Sequence, residues 1–384
     1  MTPDTMKGTL MRSRTLALLA AGAGLALAAT ACGANSAGGG SGSTATSGSG
    51  DANAPKVGVV LPETATSARW EGFDRPLLEK ELKAAGLNPI IENAQGDAQK
   101  FSQLADTMLS QGVKVLILAA PNGDVGASVE QKAKAQGVPV IDYDRLNAGG
   151  SADYYVSFDN VKVGHLQGQA LADKLQGTQG AQVIEIEGSA TDNNALLFQQ
   201  GQHEVLKPLY DSGKLRLVNS QLIDQWDNQK GGQVFEQFLT ANGGKVDGVV
   251  AANDGLAGAV ITVLTKNSLN GKVPVTGQDA TVDGLKAILR GDQYMTVFKP
   301  IDQEASAAAK LAAALVKNSK ADADKVATGS VTDPKTQRKV PSLLLEPQAI
   351  TKDKVKDVIS AGAVKKEDVC AGDVAALCGQ NGIS

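Results

Sequence analysis

A short, almost wholly apolar run followed by a stretch with helical spacing recurs along this chain, and few folds accommodate that alternation. Residues 56–62, 89–93, 113–119 and 138–144 read as strands, with helical patterns at 72–85, 98–110 and 124–136 between them. Runs without polar alternation suit strands covered on both faces, and strands separated by helices form parallel sheets wound on both sides. The stretch 154–165, YYVSFDNVKVGH, is a seam: a strand ends at Phe158-Asp159-Asn160 and a helix over 161–175 opens at once. Beyond it the alternation restarts, with strands at 182–187, 215–222, 246–252, 273–278 and 295–298. Helices are expected there at 193–206, 229–239, 255–264 and 282–290. After Lys299 come a helix over 303–316, a polar stretch to about Lys339, a strand at 340–345 and a short helix at 352–360.

The expected fold is α/β, with two doubly wound, mostly parallel-sheet lobes joined by a three-crossing hinge. Crossings fall near 159–161, 299–301 and 339–345. Residues 55–160 with 301–339 then form the N-terminal lobe, 161–299 with 340–369 form the C-terminal lobe, and 370–384 are a tail. A length of 384 residues agrees with two domains.

The N-terminus stands apart from this pattern. Lys7, Arg12 and Arg14 precede an uncharged run over 16–30, LALLAAGAGLALAAT, which meets Ala31-Cys32-Gly33. A basic start, a short apolar core and small residues describe an export signal over 1–31, too short for a comfortable membrane span. LAATACG resembles the lipobox of bacterial lipoproteins, in which the new N-terminal cysteine, here Cys32, carries the lipid. The segment 33–50 is almost all Gly, Ser, Ala and Thr, so 32–54 is expected to be a flexible spacer. Cys370 and Cys378 are the other cysteines, and in an exported chain they are expected to pair. Two cysteines without neighbouring histidines make no metal site.

A net charge of -4 offers no broad basic footprint for nucleic acid. Ligands of open α/β sheets sit beyond the carboxyl ends of the strands. Those ends carry Tyr143-Asp144-Arg145, the turn 188–194, Gln221, Asn253-Asp254, Gln278-Asp279 and Lys299, while Arg69-Trp70 opens the first helix and Trp226 follows a strand. Arg and Lys donate, Asp accepts and Asn does both, a set that suits vicinal hydroxyls. Two indoles suit the C–H faces of a sugar ring. An anion would call for excess positive charge or a glycine-rich phosphate loop, and neither GxGxxG nor GxxxxGK[ST] occurs. Plainer roles compete: Asp254 and Thr281 are expected to cap helices, and His165 and His203 sit inside helical patterns as structural or surface residues. No serine or cysteine nucleophile is paired with a base, so no catalytic residue, metal or cofactor is expected.

Taken in order and spacing, further motifs point the same way. Arg69-Trp70, Tyr143-Asp144-Arg145, Ser157-Phe158-Asp159-Asn160, Asp192-Asn193-Asn194-Ala195, Asn253-Asp254, Gly277-Gln278-Asp279-Ala280 and Thr296-Val297-Phe298-Lys299-Pro300 resemble the D-xylose-binding branch of the type I periplasmic sugar-binding family. The likeness covers roughly 56–362. It implies a non-catalytic, monomeric protein that closes on one pyranose and delivers it to the membrane permease of an ATP-driven importer. Arg69 and Arg145 would be donors from the first lobe. Asp192, Asn194, Asn253 and Asp279 would be partners from the second, with Lys299 at the crossing and Trp70 and Trp226 as walls. Residues 63–68, ETATSA, replace the charged residues that the family carries before Arg-Trp, so the rim of the cleft differs. A lipid anchor suits a cell with one membrane, where an untethered protein would diffuse away. A sugar-sensing partner of a signalling receptor, or a protein for another aldose such as glucose or ribose, are the alternative readings.

Cys32→Ser is expected to move the protein from the membrane pellet to the soluble fraction of fractionated cells. Retention in the pellet without detergent would refute the lipid anchor.

Overall fold

The computed structural model describes residues 53–383; the expected signal, Cys32 and nearly all of the spacer lie outside them. The first lobe is built from β1 (Lys56–Leu61), α1 (Arg75–Ala84), β2 (Asn88–Asn93), α2 (Ala98–Ser110), β3 (Val115–Leu118), α3 (Gly123–Ala135), β4 (Val140–Tyr143) and β5 (Tyr154–Phe158). The chain then enters the second lobe through α4 (Asn160–Leu175), β6 (Ala181–Glu187), α5 (Asn193–Asp211), β7 (Leu215–Leu222), α6 (Asn228–Ala241), β8 (Gly248–Ala251), α7 (Asp254–Lys266), α8 (Val282–Arg290) and β9 (Thr296–Phe298). It returns through α9 (Ile301–Val316), β10 (Gly329–Thr332) and β11 (Lys339–Leu345), and crosses once more to β12 (Gln348–Ile350).

Among the described residues the first sheet runs β10-β11-β5-β4-β3-β1-β2, parallel throughout except for β10. β1, β3 and β4 are apolar and buried along almost their whole length, as strands covered on both faces must be. The second lobe has the parallel order β7-β6-β8 and a short antiparallel pair, β12-β9.

Three expectations are corrected. The strand expected at 340 to begin the return to the second lobe is β11, which pairs in parallel with β5 in the first sheet. The third crossing therefore follows it, at Glu346-Pro347. This crossing lies beside the first, where the Asp159 amide donates to the Leu345 carbonyl at 2.9 Å. The strand expected at 273–278 is reduced to one bridge between Val249 and Val275, because Pro274 has no N–H to donate. The helix expected to end at Leu206 continues to Asp211, with Pro208 near its end, where few backbone bonds are forgone.

Cys370 and Cys378 are bonded to each other. The segment that holds them is part of the second lobe, for Val369, Val374, Cys378 and Ile383 share a core cluster with Leu285 and Ile288 of α8.

α4 and α5 pack backbone to backbone. A Cβ on Gly164 would stand 1.8 Å from the Phe198 carbonyl oxygen, and one on Gly201 equally close to that of Val161. This approach brings the first turns of the two helices together, and Asn160 Nδ2 donates to Asn194 Oδ1 at 2.9 Å. Gly201→Ala is expected to force the helices apart at about 1–3 kcal/mol, the usual cost of overpacking, and to lower the thermal midpoint by several degrees. A variant that melts with the wild type would show that the helices can separate freely.

Candidate ligand-binding site

The first helical turn among the described residues sets the site. Trp70–Asp74 is a π-helical turn, in which the Arg75 amide bonds the Trp70 carbonyl five residues back. That wider turn brings Arg69 and Asp74 to the same side, whereas an α-helix would turn them apart. Arg69 is 2% exposed. Its Nε and Nη2 donate to the two Asp74 oxygens at 2.9 and 2.7 Å, its Nη1 to Asp144 Oδ2 at 2.7 Å, and its Nη2 also to Glu304 Oε2 at 3.1 Å. These bonds occupy four of its five N–H groups. Arg69, expected as a first-lobe donor to ligand, is also the centre of a buried ion network, and its guanidinium lies 4.4 Å from the Trp70 ring centroid.

Asp144 carries the network towards the second lobe. Burial alone would raise its carboxyl, but Arg69, Lys299 and Arg145 together outweigh that and hold it at about 2. Its backbone carbonyl and Oδ1 accept from Asn194 Nδ2 at 2.9 and 3.2 Å. Lys299 Nζ lies 3.6 Å from Asp144 Oδ2 and 3.2 Å from Asp279 Oδ1. Burial pushes Asp74 and Glu304 above the usual carboxylate range. Three cations therefore stand among five carboxylates, counting Asp192 and Asp279, which leaves no surplus positive charge for an anion.

Strand ends of the second lobe supply the rest. Asp192 caps α5, accepts from Trp226 Nε1 at 3.1 Å, and lies 3.1 Å from Arg145 Nε across the cleft. Asn253, not Asp254, caps α7. Thr281 caps α8 as expected. Asp254 instead clamps the following turn: it accepts from the Thr281 amide, Thr281 Oγ1, Gln293 Nε2 and Thr296 Oγ1 at 2.7–3.1 Å. Trp226 lies flush against Gly188, where a Cβ would stand 2.1 Å from the indole. Phe198 meets it edge-on, ring centroids 6.3 Å apart. His203 pairs with Glu185 at 3.0 Å in the second lobe, away from this site.

All nine side chains singled out from the sequence (Arg69, Trp70, Arg145, Asp192, Asn194, Trp226, Asn253, Asp279 and Lys299) line one cavity of about 30 Å³. That is well below ligand sites of roughly 300–1,000 Å³, so a ring-sized guest requires the lobes to move apart. Asp144, Gln278, Phe198, Glu63, Thr66 and Ser67 complete the lining and were not among the nine. Asp144 and Gln278 sit at strand ends, so position alone could have signalled them. Glu63 pins the rim loop by accepting from the amides of Thr66 and Ser67 at 2.7 and 3.0 Å, and the Thr66 carbonyl accepts from Asn228 Nδ2 of the other lobe at 3.1 Å.

Two facing α/β lobes around a small, polar, indole-walled cavity at their strand ends define a solute-binding protein. The chain belongs to the periplasmic binding protein family, whose domain model matches residues 57–320. It is 38% identical over 316 residues to the D-xylose-binding periplasmic protein of Escherichia coli, covering 82% of this chain and 92% of that one. It is 35% identical to the multiple sugar-binding periplasmic receptor ChvE of Rhizobium radiobacter, over 83% of this chain and 92% of that one. A carbohydrate transporter solute-binding protein from Chloroflexus aurantiacus, solved with D-glucose, superposes with a TM-score of 0.75 at 31% identity, covering 81% of this chain and 97% of that one. The protein is thus a sugar-binding protein of the ABC-transporter type, with the type I fold, and not an enzyme.

The depressed Asp144 carboxyl has a definite sign. A group held below its unfolded value contributes stability above that value, and the contribution is lost as pH falls through the folded one. Asp144→Asn is expected to destabilise the protein at pH 7 by roughly 2 kcal/mol. In urea unfolding, the gap from wild type should close as pH falls from about 4 to 2. A gap that persists unchanged at pH 2 would place the ionised form of Asp144 outside the network.

Proposed function

We propose that this protein captures a single monosaccharide, D-xylose first, and hands it as a monomer to the permease of an ATP-driven importer, tethered to the outer face of the membrane through lipid on Cys32. One observation carries the reading. Around the cavity, Trp70 Nε1 and Gln278 Oε1 are buried without a partner in the protein, and Asp279 Oδ1 and Arg145 Nε lie near Lys299 and Asp192 without hydrogen-bond alignment. Buried donors and acceptors are nearly always paired in native proteins, so a mixed set around a cavity matches a neutral ligand rich in hydroxyls. The balance of three cations and five carboxylates supports the same ligand over an anion.

The identity of the sugar rests on likeness. The 38% relative named for D-xylose supports an aldopentose, and the neighbour solved with D-glucose supports an aldohexose as the second reading. A sugar-sensing role beside a membrane signalling protein is a further reading, and the relative named a sugar-binding periplasmic receptor supports the sensing part of it. In all of these, contacts from both lobes favour the shut arrangement, because a ligand stabilises whichever conformation binds it better.

Calorimetry of the mature domain against xylose, glucose, ribose, arabinose and galactose is expected to give micromolar or tighter binding for xylose. Trp226→Ala should weaken it at least tenfold. No heat with any of the five would overturn the reading, and a clear preference for glucose would reassign the sugar.

A further inference from the structure

We infer that Gln278 is a ligand contact and sets the selectivity of the site among aldoses; this rests on the sugar-binding reading above. Gln278 is 3% exposed and lines the cavity, and its Oε1 is buried without a partner in the protein. A buried amide with an unmatched acceptor is costly, which makes its persistence at the wall of a cavity informative.

The backbone around it leaves little freedom to turn away. The Gln278 carbonyl accepts from the Asp254 amide at 3.0 Å, and the Asp279 amide donates to the Val297 carbonyl at 2.9 Å. Just before it, a Cβ on Gly277 would stand 2.2 Å from Asp254 Oδ1, so the chain lies directly on the clamping carboxylate. Just after it, Asp279 and Ala280 take φ of 98° and 50°, a left-handed kink that the bonds from Asp254 to Thr281 hold in place. Asp254 is therefore a positioning residue, and Gln278 is delivered to the cavity by a rigid turn.

Its chemistry differs from that of its neighbours. Arg145, Lys299, Asp192 and Asp279 are charged and already engage one another, whereas the Gln278 amide is neutral and can accept from one hydroxyl while donating to another. A sugar that places a hydroxyl there satisfies the amide. A sugar that lacks it leaves a buried polar group unpaired, which is the strongest basis for discrimination between close analogues.

The test is a binding cycle on the mature domain with the best-bound aldose and its monodeoxy analogues. Gln278→Met keeps the length and approximate volume of the side chain and removes its hydrogen bonds. Expected is a loss of about tenfold for the parent sugar, with little or no loss for one particular deoxy sugar, and an unchanged thermal midpoint without ligand. Where the Met variant fails to fold, Gln278→Asn, which withdraws the amide by one methylene, should give the same pattern. Equal affinity for the parent sugar, or one uniform factor across all analogues, overturns the inference while leaving the sugar-binding reading intact. A wild type that binds no sugar overturns the reading itself.

Discussion

The rest of the site depends on a single buried cation. Arg69 can leave water only because Asp74, Asp144 and Glu304 meet its donors, and each of those carboxylates is tied to a different element: the π turn, the end of β4 and α9. Glu304 is 235 residues from Arg69 in sequence, so the chain's return from the second lobe is required to complete the first. Buried ion networks of this kind add little net stability relative to an apolar core, because desolvation offsets much of the attraction. What they supply is geometry. Tyr143 also donates to Asp74, at 2.8 Å, which fixes the orientation of the carboxylate that fixes Arg69. Through Asp144 the same network sets where Asn194 and Lys299 stand.

Strained backbone gathers at this place as well. Asp144 and Trp226 take φ of 62° and 56°, and Gln225 and Ala280 lie beside them in the same region. For a residue as bulky as tryptophan such a conformation costs about 1–3 kcal/mol and persists only where the surroundings enforce it. Here they do. The Trp226 amide bonds the Ile223 carbonyl at 3.1 Å, its indole donates to Asp192, and Gly188 gives the ring room that any other residue would fill. The turn therefore sacrifices local ease to press an aromatic wall against the cavity.

Much of this could be read from the chain before any coordinates. Buried parallel strands are apolar along their length, so β1, β3, β4 and β8 declare themselves, and the polar residues that end them mark the ligand edge. The rule fails where sequence neighbours do not determine partners. Arg69 was legible as a site residue, but its engagement with Glu304 was not, because nothing local distinguishes an acidic residue on α9 that faces inward from one that faces water. Strand β11, expected in the second lobe, belongs to the first for a related reason: its pairing with β5 is decided by the chain's path over a long polar stretch. Asn253 and Asp254 show the limit at one-residue resolution. Either could cap α7, and only the position of Thr281, Gln293 and Thr296 decides that Asp254 turns away to clamp the neighbouring loop.

The distribution of contacts also decides how much a ligand must supply. The bonds of Arg69 lie wholly within the first lobe, and those of Asp254 wholly within the second, so both halves of the site are preorganised before the lobes meet. Separating the lobes strains a different set: Arg145 with Asp192, Lys299 with Asp144, Asn194 with Asp144, Asn228 with Thr66, and the Gly123 amide with the Thr191 carbonyl at 3.2 Å. Each exchanges protein partners for water on opening, so each contributes only about 1–3 kcal/mol net, the charged ones most. A closure held by contacts of this size lies within reach of either balance. A hydroxylated ring that pairs the orphaned donors and acceptors on both sides can then shift the population by its own differential affinity, without any part of the site having to be built anew.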